Sequence, residues 1–291
     1  MKNFVLLRCQ KNLKNTQRTT CTPPFFQLST PSTTRFWFVL GKREKEKLRI
    51  ASLPKKLEKY SMYNIIEKIQ KKGKKMILKR LKVNTALGEP TNSYIVEDEE
   101  SKETMVIDPG GEADKIIDML DTLGVDKLKY IYLTHCHGDH FGAILDLKAK
   151  KGGKVLIHRD DAEGLYNPSI SLTYYIGMAD IELEADSRVD EGDIIHLGNL
   201  EFRVIHTPGH TKGGSCLYCK EQGLLFSGDT LFKGTWGRTD LPTSNFPDII
   251  ASITNKLTVL PDDTIVYPGH GRMTTIREEE PIYLELKPRL D

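Results

Sequence analysis

Within six residues, His135 to His140, the chain places three imidazoles (His135, His137, His140) and a carboxylate (Asp139) directly after the apolar run 128–134. A fold that buries such a group must neutralise it or give it something to hold, because uncompensated polar burial is costly. Neutral imidazole and carboxylate are the ligand set for Zn²⁺ and related divalent ions. The run before the cluster reads as a buried strand. If that strand runs on, His135 and His137 point the same way, while Asp139 and His140 must turn toward a second point. One short loop can therefore serve two ions.

Three more donors follow, each at a turn: His210 in Thr207-Pro208-Gly209-His210, Asp229 in Phe226-Ser227-Gly228-Asp229, and His270 in Tyr267-Pro268-Gly269-His270. Each closes a strand-like run (200–206, 224–226 and 264–267), and glycine permits the sharp change of direction a ligand needs. Strand ends converge on one edge of a sheet. Seven donors are too many for one tetrahedral ion and suit two, with Asp229 shared.

In this order, the His-x-His-x-Asp-His cluster, TPGHT at 207–211, SGDTLF at 227–232 and PGH at 268–270 resemble the signature of the metallo-β-lactamase-fold hydrolases, over residues 76–288. The stretches 228–240 and 268–276 look like the glyoxalase II (hydroxyacylglutathione hydrolase) branch, especially its short single-domain members. The resemblance implies an α/β fold, the four-layer αββα sandwich. It also implies two Zn²⁺ per chain, with Fe or Mn as alternatives: His135, His137 and His210 on the first ion, Asp139, His140 and His270 on the second, Asp229 bridging. The implied partner is a small acyl thioester such as S-lactoylglutathione, attacked by a hydroxide held between the ions and oriented by Asp139. A thiolate leaves easily, so no Ser-His or Cys-His nucleophile is required.

Arg238 matches a substrate-contacting Lys of the family, whereas Asp240 stands where the family has a Tyr. Full-length members bind the glutathione carboxylates partly through a C-terminal helical domain; this chain ends 15 residues after Ile276, so that domain is expected to be absent. Two alternatives share the fold. A persulfide dioxygenase would hold one iron on His135, His210 and Asp229 with open positions for oxygen, and a lactonase would use the same ions on another acyl carbonyl. A purely structural zinc site closes with four ligands, which argues against a non-enzymatic role.

The formal net charge of +2 conceals two unlike parts: residues 1–75 carry 19 Lys and Arg against 4 Asp and Glu, and the remainder carries 23 against 36. A basic arm is joined to an acidic globule at 76–291. The arm contains only the short apolar run 36–40, too short to span a bilayer, and is expected to be disordered. Three readings of it stay open: translation starting at Met76, an organelle transit peptide, or a basic arm for nucleic acid or an anionic membrane. The last is disfavoured, because aromatic residues are not interleaved through the lysines, so neither nucleic acid nor membrane is expected as a partner. A cytoplasmic location is expected, or mitochondrial if the arm is a transit peptide; oligomeric state is not legible. Five cysteines, an odd number without a clear secretory signal, argue for reduced thiols.

Along the globule, strands are expected at 76–83, 92–97, 104–108, 128–134, 154–158 and 200–206. Helices are expected where Ile116, Ile117, Leu120 and Leu123 precede Gly124, over 140–150, and from Asn245 through Leu257. Residues 163–190 fit no regular element and read as an excursion over the site. Cys216 and Cys219, at i and i+3 in a strand, should face opposite sides, and Cys136 should point away from the ions. His158, His196 and His206 read as core or edge residues, Lys212 and Lys233 as surface charges, and Phe232 and Trp236 as packing residues that could also line the substrate mouth.

Overall fold

The computed structural model describes residues 25–29, 35–39, 76–85, 89–177 and 183–286. Two compact units are present, Met1–Lys71 and Lys72–Asp291. In the first, β1 (Phe25–Ser29) and β2 (Arg35–Val39) form an antiparallel hairpin.

The second unit is built from two six-stranded sheets. Sheet one has the order β3 (Met76–Val83), β4 (Thr91–Asp98), β5 (Thr104–Ile107), β6 (Tyr130–Tyr132), β7 (Lys154–His158), β8 (Ser187–Val189), antiparallel up to β5 and parallel from β5 on. Sheet two has the order β9 (Ile194–Leu197), β10 (Leu200–His206), β11 (Ser215–Cys219), β12 (Leu224–Gly228), β15 (Ile265–Pro268), β16 (Thr274–Thr275). A small hairpin of β13 (Leu231–Phe232) and β14 (Thr235–Trp236) follows the third metal-type loop.

Period-two alternation sorts the side chains into layers. Tyr94, Val96, Met105, Ile107 and Tyr132 of sheet one meet Phe202, Val204, Leu217 and Phe226 of sheet two in the central core. Their strand neighbours Ile95, Val106, Ile131, Val155 and Ile157 face outward, against Ile116, Ile117 and Leu120 of α1 (Ala113–Leu123). On the far side Ile205, Cys216, Leu225 and Val266 pack on Ile249, Ile250, Ile253 and Leu257. The last four belong to α5 (Phe246–Ser252) and the wider turn Ile253–Leu257 that continues it. Helices outside two facing sheets make the four-layer αββα sandwich.

The helix ends follow their chemistry. Gly124 closes α1 in the left-handed region (φ 75°), where a side chain would be strained, and the Asn245 side chain accepts from Asp248 N to open α5. Phe246, at the start of α5, is exposed and packs at a tilt against Trp236, ring centroids 5.9 Å apart.

Two expected boundaries move. The helix expected over 140–150 is two pieces, α2 (Gly138–Phe141) and α3 (Ile144–Lys151). The break has a cause at Gly142: a Cβ there would lie 2.4 Å from Gly110 O, and Ala143 N donates to Pro109 O instead of into a helix. The strand expected over 128–134 pairs only at Tyr130–Tyr132, because Thr134 N leaves the ladder to donate to Asp108 Oδ1. Of the excursion expected at 163–190, residues 163–177 hold short helical turns, among them α4 (Pro168–Ser171), with Leu172 at φ 61°, while Ser187–Val189 form β8 of sheet one. The last described helix is α6 (Ile276–Leu286). Among the described residues no helix is long and apolar enough to cross a membrane.

Among the described residues the three apolar clusters lie in the second unit. A protein beginning at Met76 is therefore expected to unfold cooperatively; insolubility of that shortened chain would contradict the reading. Phe226 sits at the centre of an aromatic group, with ring centroids 5.2 Å from Tyr94 and 5.5 Å from Tyr267. Phe226→Ala is expected to cost about 3–5 kcal/mol in a denaturant melt, from lost burial and the cavity left behind.

Candidate metal centre

Four loops at one rim of the sandwich bring the seven donors together. His135, His137, Asp139 and His140 come from the loop after β6 and from α2, His210 from the β10–β11 loop, Asp229 from the end of β12, and His270 from the end of β15. They fall into overlapping groups: His135 with His137 and His210; Asp139 with His140 and His270; and His135 with His140 and Asp229. In each group the ligand atoms lie within 4.8 Å of one another. Asp229 lies between the first two groups, its Oδ1 3.4 Å from His140 Nε2 and its Oδ2 3.5 Å from both His210 Nε2 and His270 Nε2. Opposed nitrogens approach closely, His137 Nδ1 to His210 Nε2 at 2.9 Å and His140 Nε2 to His270 Nε2 at 3.3 Å.

The residues around the centre decide which nitrogens face it. His210 Nδ1 and His270 Nδ1 contact the carbonyls of Arg238 (2.8 Å) and Pro90 (3.1 Å); a carbonyl can only accept, so both Nδ1 atoms carry a proton and Nε2 is the nitrogen available for coordination. The Thr134 hydroxyl donates to Asp108 Oδ2 at 2.8 Å and must accept from His135 Nδ1 at 3.1 Å, which again frees Nε2. His140 Nδ1 stands 3.0 Å from Asp108 Oδ2, an electrostatic contact without hydrogen-bond alignment. His135 Nε2 and Asp229 Oδ1 are buried with no hydrogen-bond partner. Orphaned lone pairs of this kind are costly unless a cation takes them, so the donor set fits divalent ions.

Glycine is required where the loops touch. A Cβ at Gly269 would lie 2.2 Å from Asp229 Oδ1 and 2.6 Å from His140 Cε1. The two sheets are tied together beside the centre. Asn92 N donates to Gly269 O at 2.7 Å and the Tyr94 hydroxyl to Pro268 O at 2.6 Å, while Ser215 N donates to Thr134 O at 2.8 Å.

The imidazoles divide electrostatically. Burial first, and neighbouring imidazoles second, hold His135 and His137 well below the usual histidine value, so both are neutral. For His140 and His270 burial alone would do the same, but it is outweighed by carboxylates: Asp229, Asp108 and Asp139 around His140, Asp229 and Asp139 around His270. His270 is raised to about 10. Asp139 is held far below the usual carboxylate range, its burial outweighed by His140 and His270. Ion uptake must therefore displace protons from His140 and His270. At pH values below the pKa of both rings, binding is expected to release about two protons per chain and to weaken as pH falls. Calorimetry in buffers of different ionisation enthalpy measures this, and a buffer-independent heat would contradict it.

Above the centre opens a cavity of about 1180 Å³, lined by His137, Asp139, His210, Asp229 and His270 at one end. Phe232 and Trp236 line it, as do Leu172, Tyr174 and Tyr175 of the 163–190 excursion. Arg238 lines it too, with its guanidinium already engaged by Asp240, Nε to Oδ1 and Nη2 to Oδ2 at 2.7 Å each.

The remaining singled-out residues behave as structure. Cys219 packs in the central core and Cys216 in the outer one, on opposite strand faces. Cys136 is buried under the helices of sheet one, and burial pushes its thiol up. His196 is exposed on edge strand β9. His158, Asp160 and His206 also come together, but the two rings stack at 4.0 Å and 10°. Lone pairs in parallel ring planes cannot converge on one ion. Lys212 and Lys233 are exposed and pair with Glu163 (3.8 Å) and Glu278 (2.9 Å), with Lys233 also on the cavity wall.

Two functional residues escape sequence reading. Asp108 heads an Asp-Pro-Gly-Gly at the end of an apolar run, a pattern that flags a strand end under constraint, and it adopts φ 51° while serving Thr134 and His140. Asp161 has no local signal; its partners are 25 to 52 residues away.

Comparison with known proteins agrees with this geometry. Residues 86–270 match the Metallo-beta-lactamase superfamily. The chain is 36% identical over 191 residues to the hydroxyacylglutathione hydrolase GloC of Haemophilus influenzae, spanning 65% of this chain and 89% of that one. Among solved structures, the BLEG-1 B3 metallo-beta-lactamase superposes with a TM-score of 0.65 at 33% identity, covering 70% of this chain and 97% of that one. The di-iron-bound form of TTHA1623 gives a TM-score of 0.60 at 33% identity, covering 69% and 96%. The chain belongs to the metallo-β-lactamase superfamily, a superfamily of metallo-hydrolases, and its glyoxalase II-like branch is supported by the GloC relative.

Proposed function

We propose that this protein is a metal-dependent hydrolase of small acyl thioesters, S-lactoylglutathione or a near relative, working with two divalent ions, Zn²⁺ in the first instance and iron or manganese as alternatives. The observation that carries it is the pair of donor trios joined by Asp229 at the floor of an open cavity. The GloC relative supports the thioester, and the di-iron neighbour supports two ions.

When bound, such ions supply Lewis acidity toward the acyl carbonyl and bring the pKa of a coordinated water close to neutrality. The protein's own groups do the rest. Asp139, ionised under all ordinary conditions, offers a carboxylate oxygen that accepts a proton contact from the attacking water and orients it. Asp108, through the Thr134 hydroxyl, and the carbonyls of Pro90 and Arg238 hold the Nδ1 proton of His135, His270 and His210, so that Nε2 is the nitrogen each ring turns to the centre. The leaving thiolate needs no acid, and none of the three described cysteines, all buried, is placed to attack.

The test is release of free thiol from S-lactoylglutathione by the purified protein, abolished by a chelator and restored by added metal; a metal-loaded protein with no turnover on any acyl thioester would refute the proposal. The Arg238–Asp240 fork adds a finer expectation. Asp240 neutralises the one cation placed to meet a substrate carboxylate by family resemblance, so Asp240→Asn is expected to lower KM for a carboxylate-bearing thioester by about two- to fivefold, the scale of an exposed charge contact. The same kinetics on an uncharged thioester should show no such gain.

A further inference from the structure

Asp161 belongs to neither donor trio, yet it joins the two loops that carry the first. It lies just after β7 and is 1% exposed. Its Oδ2 accepts from the backbone N–H of Cys136 at 3.1 Å, the residue between His135 and His137, and from the Thr211 hydroxyl at 2.6 Å, the residue after His210. Its Oδ1 accepts from Gly213 N–H at 2.7 Å. One carboxylate thus spans a loop of sheet one and a loop of sheet two.

The packing leaves no slack. A Cβ at Gly213 would fall 2.4 Å from Asp161 N, and one at Gly164 would fall 2.4 Å from Cys136 Sγ. All three groups that reach Asp161 are donors, so only an acceptor with two oxygens satisfies them; an amide would turn an N–H toward one of them. His137 and His210 approach at 2.9 Å across the gap that Asp161 closes.

We propose that Asp161 is a positioning residue for the first ion, setting the distance between the His135/His137 loop and the His210 loop. The proposal rests on the two-ion reading above. A buried carboxylate with a merely structural role would stabilise both loops and leave ion affinity alone, and the two roles separate in measurement.

The full chain and its Asp161→Asn variant are compared by chelator competition with Zn²⁺, and by the visible absorption of the Co²⁺-loaded proteins. In the variant the affinity of one ion is expected to fall by about 10–100-fold, the range for partners one step removed from a metal, while the other stays within about threefold. The cobalt absorption of the weakened site changes with it. Thr211→Val removes one donor and leaves no unmatched charge, and it is expected to show the same selectivity at about three- to tenfold. Wild-type affinity for both ions in Asp161→Asn, whatever its melting temperature, overturns the proposal, as does an equal loss from both. Should Asp161→Asn prove insoluble, Thr211→Val with wild-type affinity overturns it alone. A wild-type chain that competes for no ion fails differently: it removes the metal-centre reading, and the positioning role with it.

Discussion

Asp229→Ala is expected to lose more metal than any single substitution among His135, His137, Asp139, His140, His210 and His270. Each of those six serves one side of the centre. Asp229 contacts histidines on both sides, at 3.4 Å to His140 and 3.5 Å to His210 and His270. Changing a partner one step out from a metal costs about 10–100-fold in affinity, and removing a carboxylate common to two trios should exceed that. Turnover should fall by about a thousandfold or more, because each ion supplies several kcal/mol of charge stabilisation. The residue sits at the rim, 9% exposed, just beyond the end of β12, so the variant should fold. Elemental analysis after gel filtration decides: metal content equal to that of His210→Ala would contradict the bridging role.

The seven donors are legible in the chain because each is announced locally, by the dense His135–His140 cluster or by a glycine turn that ends an apolar run. Their grouping comes from where the sheets place the turns, which brings the ligand atoms of His135, His137 and His210, of Asp139, His140 and His270, and of His135, His140 and Asp229 within 4.8 Å. The layers are legible for a related reason. Alternation in β4 and β10 assigns Tyr94 and Val96, or Phe202 and Val204, to one face whatever lies beyond it. Asp108 and Asp161 are a different case. Each is an ordinary Asp in sequence, and what sets it apart is a set of donors delivered from other strands. The helix break at Gly142 is hidden in the same way, since the competing acceptor is the Pro109 carbonyl across the loop. Residues 163–177 resist reading because their turns are too short to show a period, and Leu172 takes a left-handed conformation that no pattern of apolar residues encodes. Long-range pairing is what the chain conceals.

His140→Ala divides the hydrolase from the single-iron alternative. In the hydrolase His140 belongs to the second trio, with Asp139 and His270, and the attack on the acyl carbonyl depends on both ions. Thioester turnover should then fall to about one per cent or less, on the scale of about 10²–10³-fold for losing one element of charge stabilisation. A persulfide dioxygenase built on His135, His210 and Asp229 keeps its three ligands in this variant and should retain much of its oxygen uptake. His140 is fully buried beside the Asp108 carboxylate, so alanine also opens a cavity and leaves that carboxylate less balanced. His270→Ala supplies the control: it is more exposed, in the same trio, and its Nδ1 contact is to a backbone carbonyl that water can satisfy. Parallel loss of thioester turnover in both variants, with no oxygen consumed by the wild type on a persulfide, is the outcome the binuclear reading requires. Oxygen uptake surviving in both, with no thioester cleaved by the wild type, would transfer the site to redox chemistry and leave Asp139, His140 and His270 without a catalytic task.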